Sequence, residues 1–135
     1  MANRLYDLGR ESFLKGEISW SGDNIKACLV DSASYTPDTA ADQFLDDLSG
    51  VVATSGNLAS KTTTDGVADA ADVTFSSVTG NQSEFIVVYQ DTGTPSTSRL
   101  IALVDTATAT GLPVTPNGGD IVVQWDSAAN KIFKL

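Results

Sequence analysis

Apolar positions are densest between residues 84 and 106, which read EFIVVYQDTGTPSTSRLIALVDT. Two β-rich runs, 85–90 and 100–105, flank a polar loop at 91–99 that contains Gly93 and Pro95. β-Branched and aromatic residues on both arms, with breaker residues between them, predict a β-hairpin. Side chains alternate along a strand, so Phe85, Val87 and Tyr89 share one face while Ile86 and Val88 share the other. A strand apolar on both faces belongs in the middle of a sheet or between two layers.

Periodicity elsewhere is weaker. Residues 3–15, NRLYDLGRESFLK, predict the one convincing helix, with Asn3 as N-cap and Gly16 as its stop. Its apolar face holds Leu5, Tyr6, Leu8, Phe13 and Leu14, and Gly9 weakens it in the middle. Residues 17–20 and 25–31, joined by a turn at 21–24, predict a second hairpin in which Ile18 and Trp20 face Ile25, Ala27 and Leu29. Residues 42–48, DQFLDDL, predict a short helix ended by Gly50. From 51 to 78 the chain turns to Ala, Thr, Ser, Asp and Gly, with strands expected at 51–54, 58–63 and 71–77. Such strands bury little area and suit a sheet edge or an extended arm. Strands are also expected at 120–125 and 131–135, after a loop at 107–119 and a turn at 126–130.

Roughly eight to ten short strands separated by frequent turn signals define the expected fold class, an all-β β-sandwich or jelly-roll-like domain with one N-terminal α-helix. At 135 residues the chain is expected to be a single domain, 1–135, with a helical arm at 1–16 and the sandwich at 17–135. Apolar runs reach about five residues, against the roughly 20 that span a bilayer. Met1 leads into a polar, amphipathic stretch without a continuous apolar core, as expected of a chain made in a cytoplasm.

Composition narrows the chemistry. There is no histidine, which removes the commonest general base and rules out Ser-His-Asp and Cys-His catalysis. The single cysteine, Cys28, lies among strand residues and reads as a small buried hydrophobe rather than a reactive thiol. Eight Lys and Arg against seventeen Asp and Glu give a net charge of −9. Such a chain repels phosphate backbones and anionic membranes, so neither is an expected partner. Eight aspartates and only Lys61 lie between Asp31 and Asp72, so that window alone carries −7. Within it, Asp42, Asp46 and Asp47 and the trio Asp65, Asp69 and Asp72 are the carboxylate clusters. Neither has the spacing of a calcium loop, and both read as solvated surface, with no metal or cofactor expected. Trp20 and Trp125 fit alternating strand positions and are expected in the core.

Three segments carry a resemblance. RLYDLGRESFLKGEISW, VVATSGNLASKTTTDGVADAADVTFSSVTG and GLPVTPNGGDIVVQWDSAANKIFKL, together with the hairpin, look like a family of small tailed-bacteriophage virion structural proteins. The resemblance spans essentially the whole chain and marks no catalytic residue. It implies a non-enzymatic protein on the outer capsid surface, a decoration or cement protein of jelly-roll type that binds the major capsid protein and stabilises the head. A tail, tail-fibre or baseplate component is the alternative, and a small carbohydrate-binding or hydrolytic domain working through aspartates is a remote one. As a cement protein it is expected to be a homo-oligomer, dimer or trimer, since capsid symmetry multiplies contacts. The expected partner-binding residues are Leu5, Tyr6, Leu8 and Phe13 on the N-terminal helix, with the arm at 51–78 as a second docking element. Removing residues 1–15 is then expected to leave a folded domain that no longer docks.

Overall fold

The computed structural model describes residues 4–105, 112–125 and 131–135. Among them, in chain order, are β1 (Arg4–Leu5), α1 (Asp7–Leu14), β2 (Ile25–Val30), β3 (Val51–Thr54), β4 (Val67–Ala68), β5 (Val73–Phe75), β6 (Phe85–Gln90), β7 (Leu100–Val104), β8 (Ile121–Val123) and β9 (Phe133–Lys134). Five strands form one antiparallel sheet in the order β1-β7-β6-β2-β3, while β4–β9 and β5–β8 form two antiparallel ribbons. Among the described residues the protein is therefore mostly β, with one α-helix and several antiparallel sheets.

The expected hairpin is β6–β7, and β6 is the central strand. Its two faces divide as the alternation requires. Ile86 and Val88 join Ile25, Ala27, Leu29, Ala102 and Val104 in one core, which the ribbons cover with Ala68, Phe75, Val123 and Phe133. Val87 and Tyr89 join Cys28, Val30, Leu100 and Leu103 in a second core, completed by Tyr6 and Tyr35. Ile86, Val87 and Val88 are all at most 1% exposed, and burial of each such side chain contributes about 1.5–3 kcal/mol. Tyr89 pairs with Leu100 and Val88 with Ala102, so Ile101 is the extra residue of a bulge. Its carbonyl accepts the Tyr6 amide at 3.0 Å.

Several expectations fail for identifiable reasons. The helix begins at Asp7, flanked by Tyr6, and not at residue 4; Asn3, its expected cap, lies outside the described residues. Arg4 and Leu5 instead pair with Leu103 and Ala102 as an edge strand. Sheet hydrogen bonds and the burial of Leu5 and Tyr6 outweigh helix propensity there, so Arg4 and Leu5 are part of the sheet. Gly16 does stop the helix, at φ +74. Gly9 is no weak point: a Cβ on it would lie 2.4 Å from the Leu100 carbonyl oxygen. Its bare backbone lets α1 sit directly on β7, with Gly9 and Ser12 as the buried face.

The expected strand at 17–20 does not form, because β2 already has β6 on one side and β3 on the other. The segment is held by side chains instead. Gln90 Nε2 donates to the Glu17 carbonyl at 2.9 Å and to Asp23 Oδ2 at 2.6 Å, and Arg99 pairs with Glu17 at 2.7 Å. The expected helix at 42–48 is a single 3-10 turn, Leu45–Asp47. Aspartate carboxylates there take up amides that a helix would have used: Asp47 accepts from Gln43 and Phe44, and Asp38 from Ala40 and Ala41. No strand forms at 58–63, where Ser60 turns the chain at φ +53. The expected turn at 126–130 and positions 107–111 of the long loop lie outside the described residues.

Candidate functional site

Seating α1 on β7 through its small residues leaves Leu8 and Phe13 half-buried and turns Leu14 outward. Leu14 is 90% exposed, and Leu135, beside the edge of the β4–β9 ribbon, is 60% exposed. Between helix and ribbon lies a recess of about 390 Å³ lined by Leu5, Arg10, Phe13, Leu14, Lys134 and Leu135. It shares Phe13 and Leu135 with a smaller recess of about 90 Å³ whose walls include Trp20, Val67 and Phe133. The aromatic floor is a contiguous stack. Phe13 and Phe133 have centroids 6.0 Å apart at 51°, and Trp20 meets Phe133 edge-on at 5.3 Å. Trp20 is further fixed by its Nε1–H, which donates to the Asp69 carbonyl at 3.3 Å.

This is an apolar recess with two basic residues, Arg10 and Lys134, in its lining, on a chain of net charge −9. Arg10 reaches Asp7 at 3.7 Å, and Lys15, next to Leu14, reaches Glu11 at 2.5 Å. The Glu11 carboxylate raises the pKa of Lys15, which stays charged. Exposed apolar side chains around rigid aromatic anchors are the composition of a polypeptide docking surface. The lining offers shape and hydrophobicity, with no hydroxyl, thiol or carboxylate side chain in the larger recess.

Of the four expected docking residues, the structure brings two into the recess. Leu5 and Phe13 both line it. Leu8 is half-buried on the helix and lies outside the lining. Tyr6 is fully buried in the second core, on the opposite side of the sheet. Its hydroxyl meets that of Tyr35 at 3.0 Å, and Tyr35 donates to Asp42 at 2.6 Å. Tyr35 has one proton and spends it on the carboxylate, so Tyr6 is the donor to Tyr35. Burial raises both phenols far above their usual range. Lys134 and Leu135 are lining residues that the helix-centred reading misses. The period-2 signal in IFKL, which puts Phe133 and Leu135 on one strand face, points to them.

The acidic clusters serve the loops. Asp65 and Asp69 line a polar recess of about 200 Å³ with Thr62, Thr64 and Lys131. Asp72 faces elsewhere and accepts the Trp125 amide at 3.2 Å. Asp42 and Asp47 are occupied in the turns already described, and no cluster of three or more His, Cys, Asp or Glu suited to a metal occurs among the described residues. Cys28 is fully buried, and burial pushes its thiol up to about 12. Trp20 is in the core as expected, whereas Trp125 is half-buried against it. No helix among the described residues is long and apolar enough to cross a membrane. No protein-family model matches the chain, and no curated protein matches it either.

Proposed function

We propose that this protein is a non-enzymatic virion structural protein that docks on the capsid lattice of a tailed phage, with the recess between α1 and β9 as its docking surface. One observation carries the docking assignment: Leu14, a leucine in the last turn of the only α-helix among the described residues, is 90% exposed beside an open apolar recess. A leucine so placed costs solubility and gains nothing for this chain's own core, so a partner is its natural use. The class of partner comes from the resemblance of the chain to small tailed-phage virion proteins. The ribbons stacked on one face of the five-stranded sheet support a sandwich of the jelly-roll-like kind that such cement proteins use. The acidic surface keeps the protein off packaged nucleic acid, and Arg10 and Lys134 in the lining lessen the repulsion of a polypeptide at the recess.

Deleting residues 1–15 no longer tests the idea, since it would also remove β1 and the buried Tyr6. A point change does. Leu14→Asp alters an exposed side chain and leaves the sheet intact. Shells of the cognate phage prepared without this protein should bind the wild type in a co-sedimentation assay and fail to bind the variant, while both proteins show the same circular dichroism and melting temperature. Equal co-sedimentation would remove the recess from consideration. Binding to isolated tails in place of shells, with a copy number set by the tail, would move the assignment to the alternative virion location.

A further inference from the structure

The sheet has two edges, and they are treated differently. At one, β1 pairs with β7, and Leu100 and Ser98 exchange backbone hydrogen bonds with Gln43 and Leu45 at 2.8 Å each. The other edge is β3, with β2 on its inner side and no strand on its outer side among the described residues. Ser55 donates to the Ala27 carbonyl at 2.8 Å and Thr54 sits opposite Cys28. By antiparallel alternation the Thr54 N–H and C=O therefore point away from the sheet. No backbone hydrogen bond joins that outer edge to another described segment.

Edges of this kind are ordinarily guarded by shortness, a bulge, lysine or proline. At four residues with one bulge, β3 has the first two and lacks lysine and proline. Residues 48–60, LSGVVATSGNLAS, hold neither lysine nor proline and carry no charge at all. Val51 is 44% exposed on this strand. The bulge that sets Val52 between the pairs Val30–Val51 and Leu29–Ala53 is the only irregularity along it.

We infer that β3 pairs antiparallel with β3 of a second copy of this chain across a two-fold axis. The two five-stranded sheets then continue as one. A second copy is the occupant that the charge distribution selects. Two chains of net charge −9 repel over most of their surfaces and approach most easily along an uncharged edge. An antiparallel edge is also self-complementary under two-fold rotation, so one strand supplies both halves of the ladder. With the axis between Val52 and Ala53, Val51 of each copy lies opposite Thr54 of the other. This inference is independent of the recess, which lies between α1 and β9.

Sedimentation velocity over a concentration series tests it on the full chain. The wild type should pass from the 14.1 kDa monomer to twice that mass, with association strengthened by added salt as the repulsion is screened. Val51→Lys with Thr54→Lys sets like charges opposite each other and should abolish the dimer. Both side chains are exposed in the single chain; Thr54→Lys gives up one hydrogen bond to Tyr89, which should lower the melting temperature slightly and leave the circular dichroism unchanged. Amide exchange at Thr54 should slow in the wild type as concentration rises. A wild type that stays monomeric, a trimer, or a dimer that survives the double lysine variant would each overturn the pairing. So would loss of the dimer in Leu14→Asp, which would place the contact at the recess.

Discussion

Gly9→Ala separates two accounts of the N-terminal helix by the sign of its effect. Judged on helix propensity alone, the substitution should stabilise by about 1 kcal/mol, since glycine is the weakest ordinary helix former. The packing argues the reverse. The new methyl would sit 2.4 Å from the Leu100 carbonyl oxygen and 3.3 Å from Ile101 Cα, about 1 Å inside ordinary van der Waals separation for the closer pair. Both obstacles are backbone atoms of a fully buried strand, so no side-chain rotation relieves the clash. The helix must lift from β7 instead, straining the bond from the Tyr6 amide to the Ile101 carbonyl. Overpacking of this kind costs about 1–3 kcal/mol. Against backbone atoms that cannot rotate away the cost lies at the upper end, about 2–3 kcal/mol. After the propensity gain of about 1 kcal/mol, the expected net loss is about 1–2 kcal/mol, or a melting temperature lower by roughly 3–8 °C for a domain of this size. Thermal and urea unfolding followed by far-ultraviolet circular dichroism measure it. An unchanged or raised stability would refute the direct seating of α1 on β7.

Two further outcomes follow from buried groups. Tyr35→Phe leaves the Tyr6 hydroxyl, in a fully buried residue, without its acceptor, and should cost about 1–3 kcal/mol in urea unfolding; a neutral result would break the link from Tyr6 to Asp42. Native Cys28 should resist a thiol reagent at neutral pH and react only as fast as the protein unfolds, so rapid modification of the folded protein would contradict its burial. Because the folded thiol titrates near 12 and an ordinary one near 9, its contribution to stability is complete below pH 9 and is lost as pH rises through that interval.

How far the fold could be read from the chain depends on whether a signal was local. The β6–β7 hairpin was readable because alternation, β-branching and a breaker loop all agree within 84–106. The two cores meet β6 on the faces that its alternation assigns. Residues 17–20 carry an equally good local pattern, with Ile18 and Trp20 both buried, yet form no strand. Their fate was decided by β3, which arrives from beyond residue 50 and takes the open side of β2. Residues 4–6 fail for the same reason, since the partner that claims them, β7, lies nearly a hundred residues downstream. Propensity cannot report such competition, because it contains no term for what else needs the same edge.

The residues proposed to dock show the same division more sharply. The sequence pattern gathers Leu5, Tyr6, Leu8, Phe13 and Leu14 into one apolar face and offers Leu5, Tyr6, Leu8 and Phe13 as the contact residues. In the structure the helix buries its smallest residues, Gly9 and Ser12, half-buries Leu8 and Phe13, and leaves Leu14 exposed. Burial of a helix face is normally inferred from hydrophobicity, but here close approach to a β-strand favours the absence of side chains over their apolarity. Once Gly9 and Ser12 take the inward position, the spacing of the helix forces Leu14 outward, where this chain offers it nothing to pack against. The exposed leucine is thus a consequence of how tightly α1 is seated. Any change that loosens that seat should weaken docking as well as stability. Gly9→Ala, which leaves Leu14 in place, should therefore bind shells less tightly than the wild type even at temperatures where it is fully folded.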